Sequence, residues 1–348
     1  MRPNRSAIGA FSCAAIALSA ALAAAPLAHA QDKTVELKIS SWVPPAHSLT
    51  AAFEAWGKSI EAASKGTIKY KVYPSQQLGK AQDHYDMVRD GIAQVTFVSS
   101  GLQPGRFPVI DAAALPFLAS NAKEGSAAID EWYRSYAAKE MKDVKFCLAF
   151  AHEPGVWHSK KKIVTPGDVK GLKVRPAHAT VASLVTLLGG TIVHFSAPEA
   201  RQLLDRGVAD AITLPWGSIL LFKIDQVVKF HMDLPLYVTP FSLLISQATY
   251  NGMSDAQKKV MDDHCTSEWA TKIASPWADS EAAGRGVLMK LNGHEVYQLT
   301  EAQLAQWRKA VAPLTARWAG PVRKAGWNPD EVLAGLKASL ARHNSTVK

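Results

Sequence analysis

One local pattern occurs twice in this 348-residue chain: strand, helix, strand, helix, strand. The first pass runs through 35–40, 48–63, 67–73, a helix from Met87 to Gly91, and 94–98. The second runs through 172–175, 180–188, 191–195, a helix from Ser196 to Arg206, and 209–214. Each strand reads as apolar–polar alternation or a short apolar run, and each helix carries apolar residues at helical spacing, as Leu49, Phe53, Trp56 and Ile60 do. Strands that alternate with helices predict parallel sheets with helices on their faces. Two such units in one chain predict an α/β protein of two domains with a cleft between them. Such a cleft is a favoured place for a small ligand.

The boundaries follow from the punctuation. Arg2 and Arg5 precede an apolar, Ala-rich run over 8–24 and an Ala28-His29-Ala30 site, which predicts a signal peptide cleaved after Ala30 and a free periplasmic product. The 348-residue chain less those 30 leaves 318, room for two domains. The Pro/Gly-marked crossing after His152 divides them. The expectation is residues 31–153 with 240–255 as the first domain, 154–239 as the second, and helices over 256–348. Ser254 and Thr300 open helices in that tail, the first expected to run to about Leu291. Outside the signal region no apolar run is long enough to span a membrane.

The formal charge of +9, less Arg2 and Arg5, gives +7, with the basic residues scattered. Lys160-Lys161-Lys162 precedes a Pro-Gly turn and reads as a solvated loop, so no nucleic-acid partner is expected. Cys147 and Cys265 lie in apolar surroundings, and a periplasmic setting permits either a disulfide or two buried thiols. The chain carries no G-x-S-x-G, H-E-x-x-H, P-loop or G-x-G-x-x-G, so no catalytic role and no cofactor are expected. His84, His231 and His264 have no partners at metal-ligand spacing and read as incidental.

Candidate binding residues sit where strands end, since ligands of open α/β sheets bind at the carboxyl edge. They are Trp42, His47 and Ser100 (with Ser99) in the first unit, and Arg175, His178, Phe195 and Trp216 in the second, with Trp157 on the crossing. Arg175 is the one that can hold a carboxylate through two parallel hydrogen bonds.

The run Thr165-Pro-Gly-Asp168-Val-Lys-Gly171-Leu-Lys-Val-Arg175-Pro resembles the signature of the solute-binding proteins of tripartite ATP-independent periplasmic (TRAP) transporters. The likeness returns at Tyr73-Pro-Ser-Gln-Gln-Leu-Gly79, Leu115-Pro-Phe-Leu118 and Leu204-Asp-Arg-Gly207-Val-Ala-Asp210, and covers nearly all of the mature chain. The resemblance implies a two-domain periplasmic-binding-protein fold braced by long C-terminal helices. It further implies a carboxylate anchored by Arg175, and delivery to a membrane permease.

The chain also departs from that pattern. Many members carry a second Arg in a G-F-R segment, where this chain has Gly155-Val-Trp157. Many carry Asn in D-G-x-E-N-P, where this chain has Asp210-Ala-Ile-Thr-Leu214-Pro. One cation among apolar groups, with Trp42, Trp157 and Trp216 as walls, favours a monocarboxylate with an aromatic or branched body over a C4-dicarboxylate or sugar acid. The other readings are a ligand-sensing partner of a membrane receptor and a secreted α/β enzyme.

Overall fold

In chain order the strands are β1 (Val35–Ser40), β2 (Ile68–Tyr73), β3 (Val95–Ser99), β4 (Lys145–Ala151), β5 (Val156–Ser159), β6 (Lys173–Arg175), β7 (Thr191–Ile192), β8 (Ala211–Leu214), β9 (Phe230–Met232), β10 (Pro240–Ile245) and β11 (Glu295–Tyr297). The computed structural model describes residues 33–195 and 197–347, so the expected signal peptide and Ser196, the cap of the helix expected from Ser196 to Arg206, lie outside the described residues. One sheet has the order β2-β1-β3-β10-β4 and the other β11-β9-β5-β8-β6-β7. Both contain the same parallel core, β2-β1-β3 in the first and β7-β6-β8 in the second. The doubled sequence pattern is therefore a doubled structure, and the fold is α/β with two sheets.

The chain crosses between the sheets twice. β4 runs out of the first sheet through residues 152–155 into β5, which lies antiparallel to β8 in the second. The chain returns from β9 through 233–239 into β10, antiparallel to both β3 and β4. The two crossings touch: Gly155 N donates to Tyr237 O at 2.8 Å, and Leu236 N to Gly155 O at 3.1 Å. Residues 152–158 read as a Pro/Gly-marked crossing between the domains, with no strand of their own expected. Val156–Ser159 is instead a strand, buried at every position, whose four residues are too few for alternation to be read.

Helix Ser48–Ala63 lays Leu49, Phe53, Trp56 and Ile60 into the core of the first sheet. Fully burying each large apolar side chain stabilises the fold by roughly 1.5–3 kcal/mol. Its end is set by Gly66, whose φ of +81° suits glycine.

The tail holds two departures from the expected run of helices. The stretch from Ser254 breaks into Asp255–Asp263 and Ser267–Leu288. The break presents Cys265 to Cys147 on β4, and the two are joined as a disulfide with a Cα–Cα separation of 4.5 Å. Glu295–Tyr297 forms β11, which extends the second sheet beside β9.

Helix Ser267–Leu288 touches both sheets' surroundings. At its start Ser267 Oγ donates to the buried Asp130, which also accepts from Ala149 N of β4. Further along, Glu281 accepts from Ser218 N, Ser218 Oγ and Trp277 Nε1. Arg285 pairs with Asp233 on the return crossing. The helix approaches Gly217 so closely that a Cβ on Gly284 would fall 2.3 Å from Gly217 Cα. Among the described residues no helix is long and apolar enough to cross a membrane.

Candidate functional site

Arg175 ends β6, as its place before Pro176 predicts. The guanidinium is half-buried, and its Nε donates to Phe195 O at 3.2 Å. Among the described residues no carboxylate pairs with it. Burial pulls its pKa below the ordinary value, and the neighbouring Tyr237 acts the other way. It stays charged, since guanidinium does not lose its proton in proteins.

His178 lies three residues on, at the start of helix Ala179–Leu187. It is buried, close enough to Arg175 and His152 for both to lower its pKa further, and burial with these neighbours brings it down to about 3. Its ring meets that of Tyr237 edge-on at 5.0 Å. Thr213 of β8 anchors the approach by accepting from Ala177 N at 2.9 Å.

From the first sheet come Trp42, His47 and Ser100. Trp42 follows β1 and stacks on Phe97 at 4.9 Å. His47 caps helix Ser48–Ala63, its Nδ1 accepting from Leu49 N, and meets Trp277 edge-on at 4.9 Å. Burial lowers its pKa to about 4. Ser100 is buried, and its Oγ has no hydrogen-bond partner among the described residues. The turn it opens abuts the second half: a Cβ on Gly101 would fall 2.5 Å from His178 Cβ.

A chain of packed, mostly buried rings links Trp42, His47 and His178. Phe241 packs on Trp42, Phe97 and Trp277, and Trp277 on His152. His152 in turn packs on Tyr237 at 5.7 Å, and Tyr237 on His178. Tyr237, His152, Phe241 and Trp277 were not singled out from sequence. A signal for Tyr237 was present: it lies between Pro235 and Pro240, in a crossing as clearly marked as the one at Pro154-Gly155.

The three candidate tryptophans occupy three different cores. Trp42 packs against the first-sheet core. Trp157 is buried beside Trp307, at 5.9 Å, on one face of the second sheet. Trp216 lies on the other face with Leu214, Val156 and Ile212, against His158 and His231. Leu214, which stands in the slot of the family's Asn, is thus a core residue. His231, read as incidental, belongs to a hydrogen-bonded row with His158 and His294. His84 bonds Ser40 Oγ and Phe97 O, and His264 bonds Ser59 Oγ and Val260 O.

A cavity of about 140 Å³ lies between Pro108 and Asp111 on one side and Ala179, Thr180 and Ser183 on the other, with Trp318 against it. A larger one of about 380 Å³ lies elsewhere, among Phe117, Leu234, Leu304 and Val347. Arg175 lines neither. Among the described residues no group of three or more His, Cys, Asp and Glu is placed to hold a metal ion.

Residues 39–320 match the family described as bacterial extracellular solute-binding protein, family 7. Three solved structures are similar throughout. A TRAP solute-binding protein from Rhodoferax ferrireducens T118, in complex with copurified benzoate, is 27% identical with a TM-score of 0.83, covering 89% of this chain and 99% of that one. A marine metagenome TRAP solute-binding protein specific for aromatic acid ligands, in complex with 3-hydroxybenzoate, is 30% identical with a TM-score of 0.83, covering 90% and 100%. A TRAP periplasmic solute-binding protein from Bordetella bronchiseptica with bound (R)- and (S)-mandelate is 29% identical with a TM-score of 0.82, covering 88% and 99%.

Proposed function

Because this chain belongs to the family 7 bacterial extracellular solute-binding proteins, as a TRAP-transporter member, we propose that it captures an organic monocarboxylate with an aromatic or other apolar body. Arg175 is the anchor. The ligand is enclosed between the two sheets as the crossings at 152–155 and 233–239 flex, and is passed to a membrane permease. The division at these crossings, residues 31–153 with 240–255 against 154–239, is the one the mechanism uses. Residues 31–348 work in the periplasm after cleavage behind Ala30.

The observation that carries the reading is the setting of Arg175. Its guanidinium is half-buried without a carboxylate partner among the described residues, near Tyr237, from which a chain of packed rings runs to Trp42. A half-buried cation without a counter-charge loses part of its hydration uncompensated, and an ionised carboxylate offsets that cost through paired, charge-assisted hydrogen bonds. Removing about 100 Å² of apolar ligand surface from water adds roughly 2.5 kcal/mol. A second carboxylate on the ligand would need a second cation, and the titratable side chains near Arg175 among the described residues are the His178 imidazole and the Tyr237 phenol. The three relatives above carry benzoate, 3-hydroxybenzoate and mandelate, which agree with this class.

The test is calorimetric titration of the mature protein and Arg175→Ala with benzoate, mandelate, succinate and glucuronate. The expectation is binding of an aromatic acid by the wild type, and a loss of about 100-fold or more in the variant at an unchanged melting temperature. Equal affinity in the variant would remove Arg175 from the site. Preference for succinate or glucuronate would overturn the ligand class.

A further inference from the structure

We propose that the site selects a carboxylate bearing a hydroxyl on its apolar body, and that His178, with Tyr237 beside it, is the pair that recognises this hydroxyl. The inference rests on the carboxylate reading above and adds a second point of recognition to it.

The buried histidines of this chain supply the contrast. His84, His152, His158, His231 and His264 each have both ring nitrogens in hydrogen bonds. His47 uses Nδ1 as a helix cap. His178 is 5% exposed, and neither Nδ1 nor Nε2 has a partner among the described residues. Tyr237 is 2% exposed, and its hydroxyl likewise has none. Thr213 stands near enough to lower the phenol's pKa but does not meet hydrogen-bond geometry with it. Polar groups buried this deeply are nearly always satisfied. Here two of them adjoin, ring to ring, beside the cation that holds the carboxylate.

Their chemistry defines what satisfies them. Burial and the charge of Arg175 keep the imidazole neutral, with one N–H and one lone pair. The phenol also offers one donor and acceptor capacity. The complement is a group that donates and accepts at once, which is a hydroxyl. A second carboxylate only accepts, so it leaves the His178 lone pair unmatched, and the neutral ring offers no positive charge to balance it. A plain C–H leaves both protein groups unpaired, and sites built to bond a ligand hydroxyl discriminate strongly against the analogue that lacks it. Gly155 makes the arrangement possible, because a Cβ there would fall 2.4 Å from the Tyr237 hydroxyl oxygen.

The experiment compares dissociation constants for matched pairs, phenylacetate with mandelate and benzoate with the 2-, 3- and 4-hydroxybenzoates. The proteins are the wild type, His178→Phe and Tyr237→Phe. At least one hydroxylated acid should bind the wild type about tenfold or more tighter than its parent. That ratio should fall to about one in His178→Phe and shrink in Tyr237→Phe, which keeps the ring and removes only the hydroxyl. Should His178→Phe fail to fold, Tyr237→Phe and the wild-type ratio carry the test. Wild-type ratios near one throughout, with the parents bound, overturn this inference and leave the carboxylate reading standing. A ratio that persists in the variants assigns the hydroxyl to other residues and overturns it too. Absence of binding by every acid overturns the carboxylate reading itself.

Discussion

Gly155 and Tyr237 lie back to back where the chain crosses between its two sheets. The backbones pair through Gly155 N and Tyr237 O at 2.8 Å, and the phenol ring covers the space a side chain on Gly155 would fill, 2.3 Å from its nearest atom. The crossing and the chain of packed aromatic rings are thus one piece of structure. Gly155→Ala should displace the ring, weaken aromatic-acid binding by about tenfold and cost about 1–3 kcal/mol of stability. Titration calorimetry and chemical denaturation check the two effects. An unchanged affinity would separate Tyr237 from the site.

The Cys147–Cys265 disulfide ties β4 to the break before helix Ser267–Leu288 across a sequence separation of 118. In the chain-entropy picture a loop of that size contributes about 4–5 kcal/mol. Cys147→Ala with Cys265→Ala should lower the melting temperature by about 10 °C, read by circular dichroism. An equal loss on adding a thiol reductant to the wild type, and none on adding it to the double variant, would assign the effect to the bond.

Lys229, His294, His231 and His158 form a directed row. His158 Nε2 must donate to Leu214 O, so its Nδ1 accepts from His231 Nδ1 at 2.7 Å. His231 Nε2 then accepts from His294 Nδ1 at 2.9 Å, and His294 Nε2 accepts from Lys229 Nζ at 3.0 Å. Each imidazole carries one proton, and a further proton entering the row would set an N–H against another N–H or against the ammonium. Burial lowers all three pKa values, His231 to about 3. Nitrogen NMR at neutral pH should find Nε2–H on His158 and Nδ1–H on His231 and His294. The stability these residues contribute is fully present above about pH 6.5, the unfolded value, and is lost as pH falls toward the folded value of about 3 for His231. A normal titration of His231 near 6.5 would contradict the row.

Asp111 acts in the opposite direction. Burial raises its carboxyl to about 7, with Glu140 adding to the rise and Ser100 opposing it. The folded form therefore holds a proton that the unfolded form has released, and this contribution fades as pH rises from about 4 through 7. Asp111→Asn should gain stability relative to the wild type across that window and level off above about pH 8. A constant difference between the two melting curves from pH 4 to 8 would show that Asp111 ionises normally.

Periodicity along the chain was enough to recover the parallel strands and most of the helices that flank them, because alternation and helical spacing are local properties of contiguous residues. It also placed Arg175 at a strand end, since Pro176 stops the ladder where it stands. It did not recover β5, β9 or β11, strands of three or four residues whose existence depends on a neighbour to bond. The sequence by itself determined a doubled α/β chain with its candidate anchor at a sheet edge. Tertiary structure alone decided that Cys147 meets Cys265, that Trp157 faces one core while Trp216 and Leu214 share another, and that His178 and Tyr237 adjoin without partners of their own. Whether a buried polar group is satisfied depends on what approaches it through space, and residues far apart in the chain settle that.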